Sequence, residues 1–350
     1  MKKQFTLVFG CIFLIVISIL FTKVPTNSSN NRSFFAFDTI ISLTGYGKNA
    51  GDTLGQVESE ILSMENNFSR TLPQSPIYKL NHSNGAPLSV SSDLIDLLKK
   101  SQNIYTETQG IFDITIAPAA DLWGFTKDSF YVPTTDEITD VQSKVGIEHL
   151  KLSSNTVQLD PGSEIDLGGI AKGYALEQIQ SLYKNQKIKG GIANLGGDIL
   201  AYGSNKNHSP WKIAIRTPDS NEKDILGILS IHDKYILTSG GYERYFEENG
   251  KTYQHIIDPT SCAPAKSTLR SATIITSLKP DFAVTADALA TAFIIIDVKK
   301  AIEFWRTSSF PFEMILVDDT NHVYITEGIH DYFTPQDSSI YKYTYLKKSS

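Results

Sequence analysis

The feature that most limits the fold is a run of strand-like segments with almost no helix between them. "GIANLGGDILAYG", "WKIAIR", "GILSIHDKYILTSG", "TYQHIID" and "RSATIITS" follow one another between residues 191 and 277. Each is rich in β-branched or aromatic residues, and glycine, proline or polar residues bound it. Strands this close in sequence pair antiparallel, because a parallel crossover needs a dozen or more connecting residues.

Helical periods surround this run. Leu54, Val57, Ile61, Leu62 and Phe68 recur at helical spacing, and a second helix follows Ser91 with Leu94, Leu97, Leu98, Ser101 and Tyr105 on one side. Thr134 and Glu137 read as a capping box for a short helix ended by Gly146. "FFAFDTIISLTGYG" reads as one strand ended by Gly45 and Gly47, and "HLKLSSNTVQLD" as a hairpin. "FAVTADALATAFIII" fits a helix, and "FEMILVDD" with "HVYITEG" closes the body. The fold class is therefore α+β, with mixed, largely antiparallel sheets flanked by helices.

The first residues stand apart from that body. Lys2 and Lys3 precede seventeen uncharged residues, 5–21, which as a helix would reach roughly 25 Å against a bilayer core of about 30 Å. Residues 1–21 are read as a signal or membrane-anchor helix, with the uncleaved anchor favoured because no small-x-small cleavage site follows. Lysines ahead of the run place the body at the extracytoplasmic face of the cell membrane. A lipid on Cys11 fits less well, since most of the apolar run follows that cysteine. Residues 22–33, rich in Ser, Asn and Thr, read as a solvated linker. Cys11 lies within the apolar run and Cys262 is the other cysteine, which leaves no disulfide framework.

The chain has a net charge of −6, and Lys2 and Lys3 are its only charges ahead of the linker. So acidic a body argues against nucleic acid as a partner. An anionic ligand would need local neutralisation.

Three stretches could carry chemistry. In "EIDLGGIAKGYALEQI" a strand-like run ends in Gly168 and Gly169 and a helix begins near Lys172. A helix N-terminus there would offer unpaired N–H groups to an anion, although neither the dinucleotide fingerprint nor the P-loop matches. A plain strand-to-helix turn explains the same residues. In "VTADALATAF", Asp287 and Thr291 are four apart, so carboxylate and hydroxyl share one face of an apolar helix. They could hold a hard cation, or Asp287 could serve a helix N-terminus. In "TYQHIIDPTSCAP", His255 and Asp258 bracket two isoleucines at a strand end, where His255 could carry a proton or be structural. "TSGGYERYF" adds Ser239 and Arg244 as possible phosphate donors, or forms a β-turn, and "GIFDITIAPAADLWGF" embeds Asp113 among aromatics.

Taken in order, "FDT", "FSRT…SPIYKLN", "GIFDITIAPAADLWGF", "IDLGGIAKGYA", "NLGGDI", "TSGGYERYF", "HIIDP" and "ADALATA" resemble the FAD:protein FMN transferase family, the ApbE-like proteins. The resemblance runs from about residue 35 to 325. It implies a catalytic domain over 34–335 and a C-terminal tail over 336–350. The implied activity is Mg²⁺-dependent transfer of FMN from FAD to a Thr or Ser of an acceptor flavoprotein, through a phosphoester, with release of AMP. Such acceptors serve respiratory or extracellular electron transfer.

By position, the resemblance implies a metal held by Asp287, Thr291 and the main chain at Gly169. It implies FAD contacts at Phe37, Thr71, Ile111, Phe112, Asp113, Asp166, Lys172 and Ile257. His255 falls where the family's catalytic histidine lies, with Asp258 as a second candidate. An FAD pyrophosphatase and a non-catalytic flavin-binding protein are the alternatives. The chain departs from the family pattern at Cys262, where a glycine is usual, at Phe37, where a methionine is common, and in lacking the usual lipobox.

Overall fold

The strand-rich stretches assemble into a nine-stranded sheet. Its strands lie across the sheet in chain order: Ser29–Ala36, Thr39–Tyr46, Gly190–Leu195, Asp198–Gly203, Lys234–Gly240, Leu269–Ser277, Glu313–Asp318, His322–Thr326 and Lys342–Leu346. Every neighbouring pair is antiparallel except the last, which is parallel. The structure, a computed structural model, describes residues 29–127, 129–218, 224–336 and 340–348.

The sheet is covered on both faces, and its alternation shows it. In Glu313–Asp318, Met314 and Leu316 join the larger core beneath the helices, while Ile315 and Val317 join a second core on the opposite face. That is why "EMILVD" reads as an unbroken apolar run: period-two alternation is lost when both faces are buried. The helices Ala50–Phe68, Ala171–Asn185 and Phe282–Ile295 pack over the first face. A three-stranded sheet, ordered Phe333–Pro335, Ile225–Ile231, Trp211–Arg216, covers part of the second.

The expected helix starts are capped as their sequences require. Ser91 accepts from the N–H of Leu94, and Thr134 with Glu137 forms the reciprocal capping box. Three expectations change. "FFAFDTIISLTGYG" is a hairpin rather than one strand, turned at Phe37 and Asp38 with φ of 51° and 55°. Two left-handed residues make the tight turn that suits twisted strands, but they are normally Asn-Gly, so composition gave no signal for it. The linker expected over 22–33 gives way at Ser29 to the sheet's first strand. The tail expected from residue 336 returns Lys342–Leu346 to the sheet beside His322–Thr326. The anchor or signal helix over 1–21 lies outside the described residues, among which no helix is long and apolar enough to cross a membrane.

Candidate active site

Two helices and two strand ends meet at one cleft. The turn after Leu167 starts Ala171–Asn185, and Asp166 closes it by accepting from the Gly168 N–H at 2.7 Å. Asn81 fixes the approach to this turn, pairing through its amide with both the N–H and C=O of Ile165, each at 2.9 Å. Arg70 gathers the carboxylates of Asp121, Glu164 and Asp166 at 2.7, 3.5 and 3.5 Å. Burial alone would lower the pKa of its guanidinium, and these three charges more than offset that. The "SPIYKLN" and "FSRT" stretches thus act by holding "EIDLGG" in place.

The Lys172 helix crosses the Asp287 helix, Phe282–Ile295, at Gly173. A Cβ there would lie 2.4 Å from the Ala283 carbonyl oxygen and 2.9 Å from the Asp287 Cβ, so only glycine permits the approach. The Gly173 N–H donates to Asp287 Oδ2 at 2.7 Å. The N–H groups of Ile170 and Ala171 are taken by the Leu167 carbonyl. The helix start is therefore capped by a carboxylate, and the expectation of bare N–H groups awaiting an anion is corrected. A buried Asp needs such a partner, and a helix N-terminus supplies one.

Lys172 reaches forward to Asp198, whose side chain is 1% exposed and whose Oδ1 also accepts from the Thr238 N–H at 2.8 Å. Burial would lower the lysine's pKa, but Asp198 and Asp287 hold it above its ordinary range. Thr291, one turn after Asp287, sits 3.2 Å from the Ser239 hydroxyl. A Cβ on Gly169 would come within 3.4 Å of Thr291 Oγ1 and 3.0 Å of Phe112, so the Gly169 main chain closes on the same point.

These elements line a cavity of about 260 Å³ that includes Ile111, Phe112, Asp113, Asp166, Gly169, Lys172, His255, Ile257, Asp287 and Thr291. The structure thus brings together most of the residues singled out in the sequence. Phe37 and Thr71 lie outside this lining: the Phe37 N–H bonds Glu65 and its ring packs against the larger core, while Thr71 is exposed beside Ser69. Asp258 also lies outside it, because its carboxylate accepts from the Thr260 N–H and the Ser261 hydroxyl in the following turn. Cys262 ends that turn at φ 48°, the left-handed conformation for which glycine is usual.

The charge of the lining is one-sided. Asp113, Asp166, Glu243 and Asp287 line the cavity with one lysine, Lys172, which Asp198 already engages, while Arg70 pairs with Asp166 and Arg216 acts on Glu243 from outside the lining. Burial raises the pKa of Asp113, Glu243 and Asp287, and the Asp198 charge raises Asp287 further. His255 moves the other way: desolvation lowers it to about 4. Its Nδ1 lies 3.1 Å from the Arg244 carbonyl, which can only accept, so Nδ1 carries the proton and Nε2 holds the lone pair.

Asp198, Glu243 and Gly173 were missed in the sequence. Asp198 heads the apolar strand "DILAYG", and an Asp that would be costly to bury unpaired was its one available signal. Glu243 and Gly173 carried none, since their roles depend on what crosses them in space.

A nine-stranded sheet with this helix pair over it is an ApbE-like α+β fold, and its carboxylate-lined cleft is the candidate active site. The chain belongs to the ApbE family, whose model matches residues 37–316. It is similar to the FAD:protein FMN transferase of Vibrio cholerae, 32% identical over 241 residues, or 68% of this chain and 71% of that one. The FAD:protein FMN transferase of Salmonella typhimurium is 28% identical over 305 residues, 85% of this chain and 84% of that one. The crystal structure of the ApbE protein from Thermotoga maritima superposes with a TM-score of 0.80 at 26% identity, covering 89% of this chain and all of that one.

Proposed function

We propose that this chain is an Mg²⁺-dependent FAD:protein FMN transferase that moves FMN onto a Ser or Thr hydroxyl of an acceptor flavoprotein and releases AMP. The observation that carries the metal requirement is the charge of the cleft: four carboxylates line it with one lysine that is already paired, and Arg70 and Arg216 reach only Asp166 and Glu243 from outside the lining. A cation bound in this cleft would offset the charge that a pyrophosphate adds.

The available donors fit Mg²⁺. Asp287, Thr291 and the Gly169 main chain offer hard oxygen donors in the lining of one cavity, and Ser239 adds a hydroxyl beside Thr291. Mg²⁺ keeps several waters or phosphate oxygens in its shell, so these few protein donors suffice for it. When bound, the ion supplies Lewis-acid polarisation of the phosphoryl group.

The reaction itself is a displacement at phosphorus. The acceptor hydroxyl oxygen bonds to the FMN-side phosphorus, the bond from that phosphorus to the bridging oxygen breaks, and AMP leaves with the bridging oxygen. The hydroxyl proton passes to a base, for which the lone pair on His255 Nε2 is available. Lys172, held by Asp198, contributes charge close to the phosphates, and Phe112 packs on Gly169 to fix the turn beneath them. Both acts are positioning, in keeping with phosphoryl transfer as a problem of orientation and charge.

Incubation of candidate exported proteins with enzyme, FAD and Mg²⁺, read by mass spectrometry, tests this directly. FMN-modified Ser or Thr, with AMP release that needs both acceptor and metal, is the expected result. AMP release without acceptor identifies an FAD pyrophosphatase, and binding without turnover a flavin carrier. We further propose that the body works at the extracytoplasmic face of the cell membrane. Its support is the lysine-flanked apolar run of residues 5–21. Protease added to wall-stripped cells should then digest the body without lysis.

A further inference from the structure

A second cavity, of about 840 Å³, adjoins the catalytic one, and the two share Thr238 and Glu243 in their linings. Its shape comes from a mismatch of layers. The three-stranded sheet covers only part of the large sheet's second face, and its last strand, Trp211–Arg216, pairs on one side alone among the described residues. All six residues of that strand line the cavity. Among the described residues no strand pairs the other edge of Trp211–Arg216, so the alternate N–H and C=O groups of that edge can take a further strand.

The opposite wall is the uncovered face of the large sheet. There Ile40 is 67% exposed, beside its cross-strand partner Phe35 at 64%. The groove has direction. At one end the Trp211 indole N–H is tied to the Tyr202 carbonyl at 3.1 Å. At the other, Arg216 extends beside Gly197 and acts electrostatically on Glu243, at the opening into the catalytic cleft. Six strand residues span roughly 20 Å, so the groove is the length of a short peptide.

Resting on the transferase reading above, we propose that the acceptor protein enters as an extended segment that adds as a strand to the open edge of Trp211–Arg216. Its hydroxyl-bearing residue then lies at the Arg216 end, where the groove opens past Thr238 and Glu243 onto the phosphates. Main-chain pairing supplies affinity, while the groove wall at Ile40 receives an apolar side chain. A second copy of this chain is the competing occupant of any open edge. Antiparallel pairing of two copies centred on Ala214 would set Lys212 against Arg216 with like charges opposed, which disfavours it.

The test uses random ten-residue peptides with a fixed central threonine, displayed on a carrier and incubated with the full chain, FAD and Mg²⁺. Covalent flavin is read by fluorescence after denaturation. Ile40→Asp and Ala214→Arg alter exposed side chains outside the catalytic cleft. Each should keep the FAD affinity and melting temperature of the parent while raising the KM for accepted peptides at least about tenfold, the equivalent of about 1.4 kcal/mol. Unchanged peptide kinetics in both variants would overturn the proposal. So would a parent enzyme that modifies folded exported proteins but no peptide, because an extended segment should suffice alone. A dimer that Ile40→Asp dissociates would assign the groove to a second copy instead. Absence of transfer to any peptide or protein, with FAD bound, would remove the transferase reading and this proposal together.

Discussion

Asp287 accepts a hydrogen bond from the Gly173 N–H at 2.7 Å and so caps a helix that is not its own. The service is returned: Glu177, on the capped helix, accepts from the N–H groups of Ala283 and Val284 at 2.9 and 3.3 Å, at the start of the helix that carries Asp287. That start has no local side-chain cap, since Asp281 adopts a left-handed backbone and pairs with Lys100. Each helix dipole thus ends on a buried carboxylate from the other. The carboxylate proposed to hold the metal is oriented by the same contact that holds the two helices together.

Separating those two roles requires two substitutions at one position. Asp287→Asn keeps a carbonyl oxygen for Gly173 and should melt close to the parent, yet lose FMN transfer by about 100-fold or more. Asp287→Ala should lose transfer equally and also about 1–3 kcal/mol of stability, because a buried N–H is left without a partner. Thermal melts beside single-turnover rates check both, and an active Asp287→Asn enzyme would exclude Asp287 as the main metal ligand.

Gly173→Ala adds one methyl where the helices touch. With the Ala283 carbonyl oxygen 2.4 Å from the new Cβ, the helices must part, at a cost of about 1–3 kcal/mol or more. The shift carries Asp287 with it, so the Mg²⁺ concentration for half-maximal rate should rise. A denaturant titration and a metal titration on the same sample report the two effects.

The pH dependence follows from His255. Desolvation holds its folded pKa at about 4, below the usual value of about 6.5. Nε2 therefore stays an available base down to about pH 4, so any inflection near 6.5 in the acid limb of the single-turnover rate should persist in a His255 variant. The stability effect has a definite sign. Between about pH 6.5 and 4 the unfolded chain binds the proton more readily, so this residue's contribution falls as pH falls through that window. His255→Ala should lower the rate by about 10²–10⁴ with FAD affinity retained. An inflection near 6.5 that disappears in the variant would contradict the desolvated imidazole.

Cys262 is fully buried, its thiol is pushed up to about 11 by that burial, and its backbone takes a conformation usual for glycine. The folded protein should leave it unmodified by iodoacetamide at pH 8, with alkylation at this position appearing only on unfolding. Peptide mapping distinguishes it from Cys11. Rapid labelling of Cys262 in the native state would show that the 258–262 turn opens.

Much of the architecture was legible because it is local. Helix periods at Leu54 to Phe68, the caps at Ser91 and Thr134, and the consecutive strands of 191–277 depend on neighbours a few residues away. The ordered motifs likewise pointed to Lys172, His255, Asp287 and Thr291, which the fold gathers at one cleft. Tertiary structure alone decided what those residues face. Asp198 lies 26 positions from the lysine it pairs with, and Gly173 lies 114 from Asp287. The helix start that looked open to an anion is closed by a carboxylate from across the chain, and His255 is desolvated by elements that its own strand cannot foretell. Periodicity and capping are properties of adjacent residues, whereas burial, pairing and the charge of a cavity exist only once distant segments share a volume.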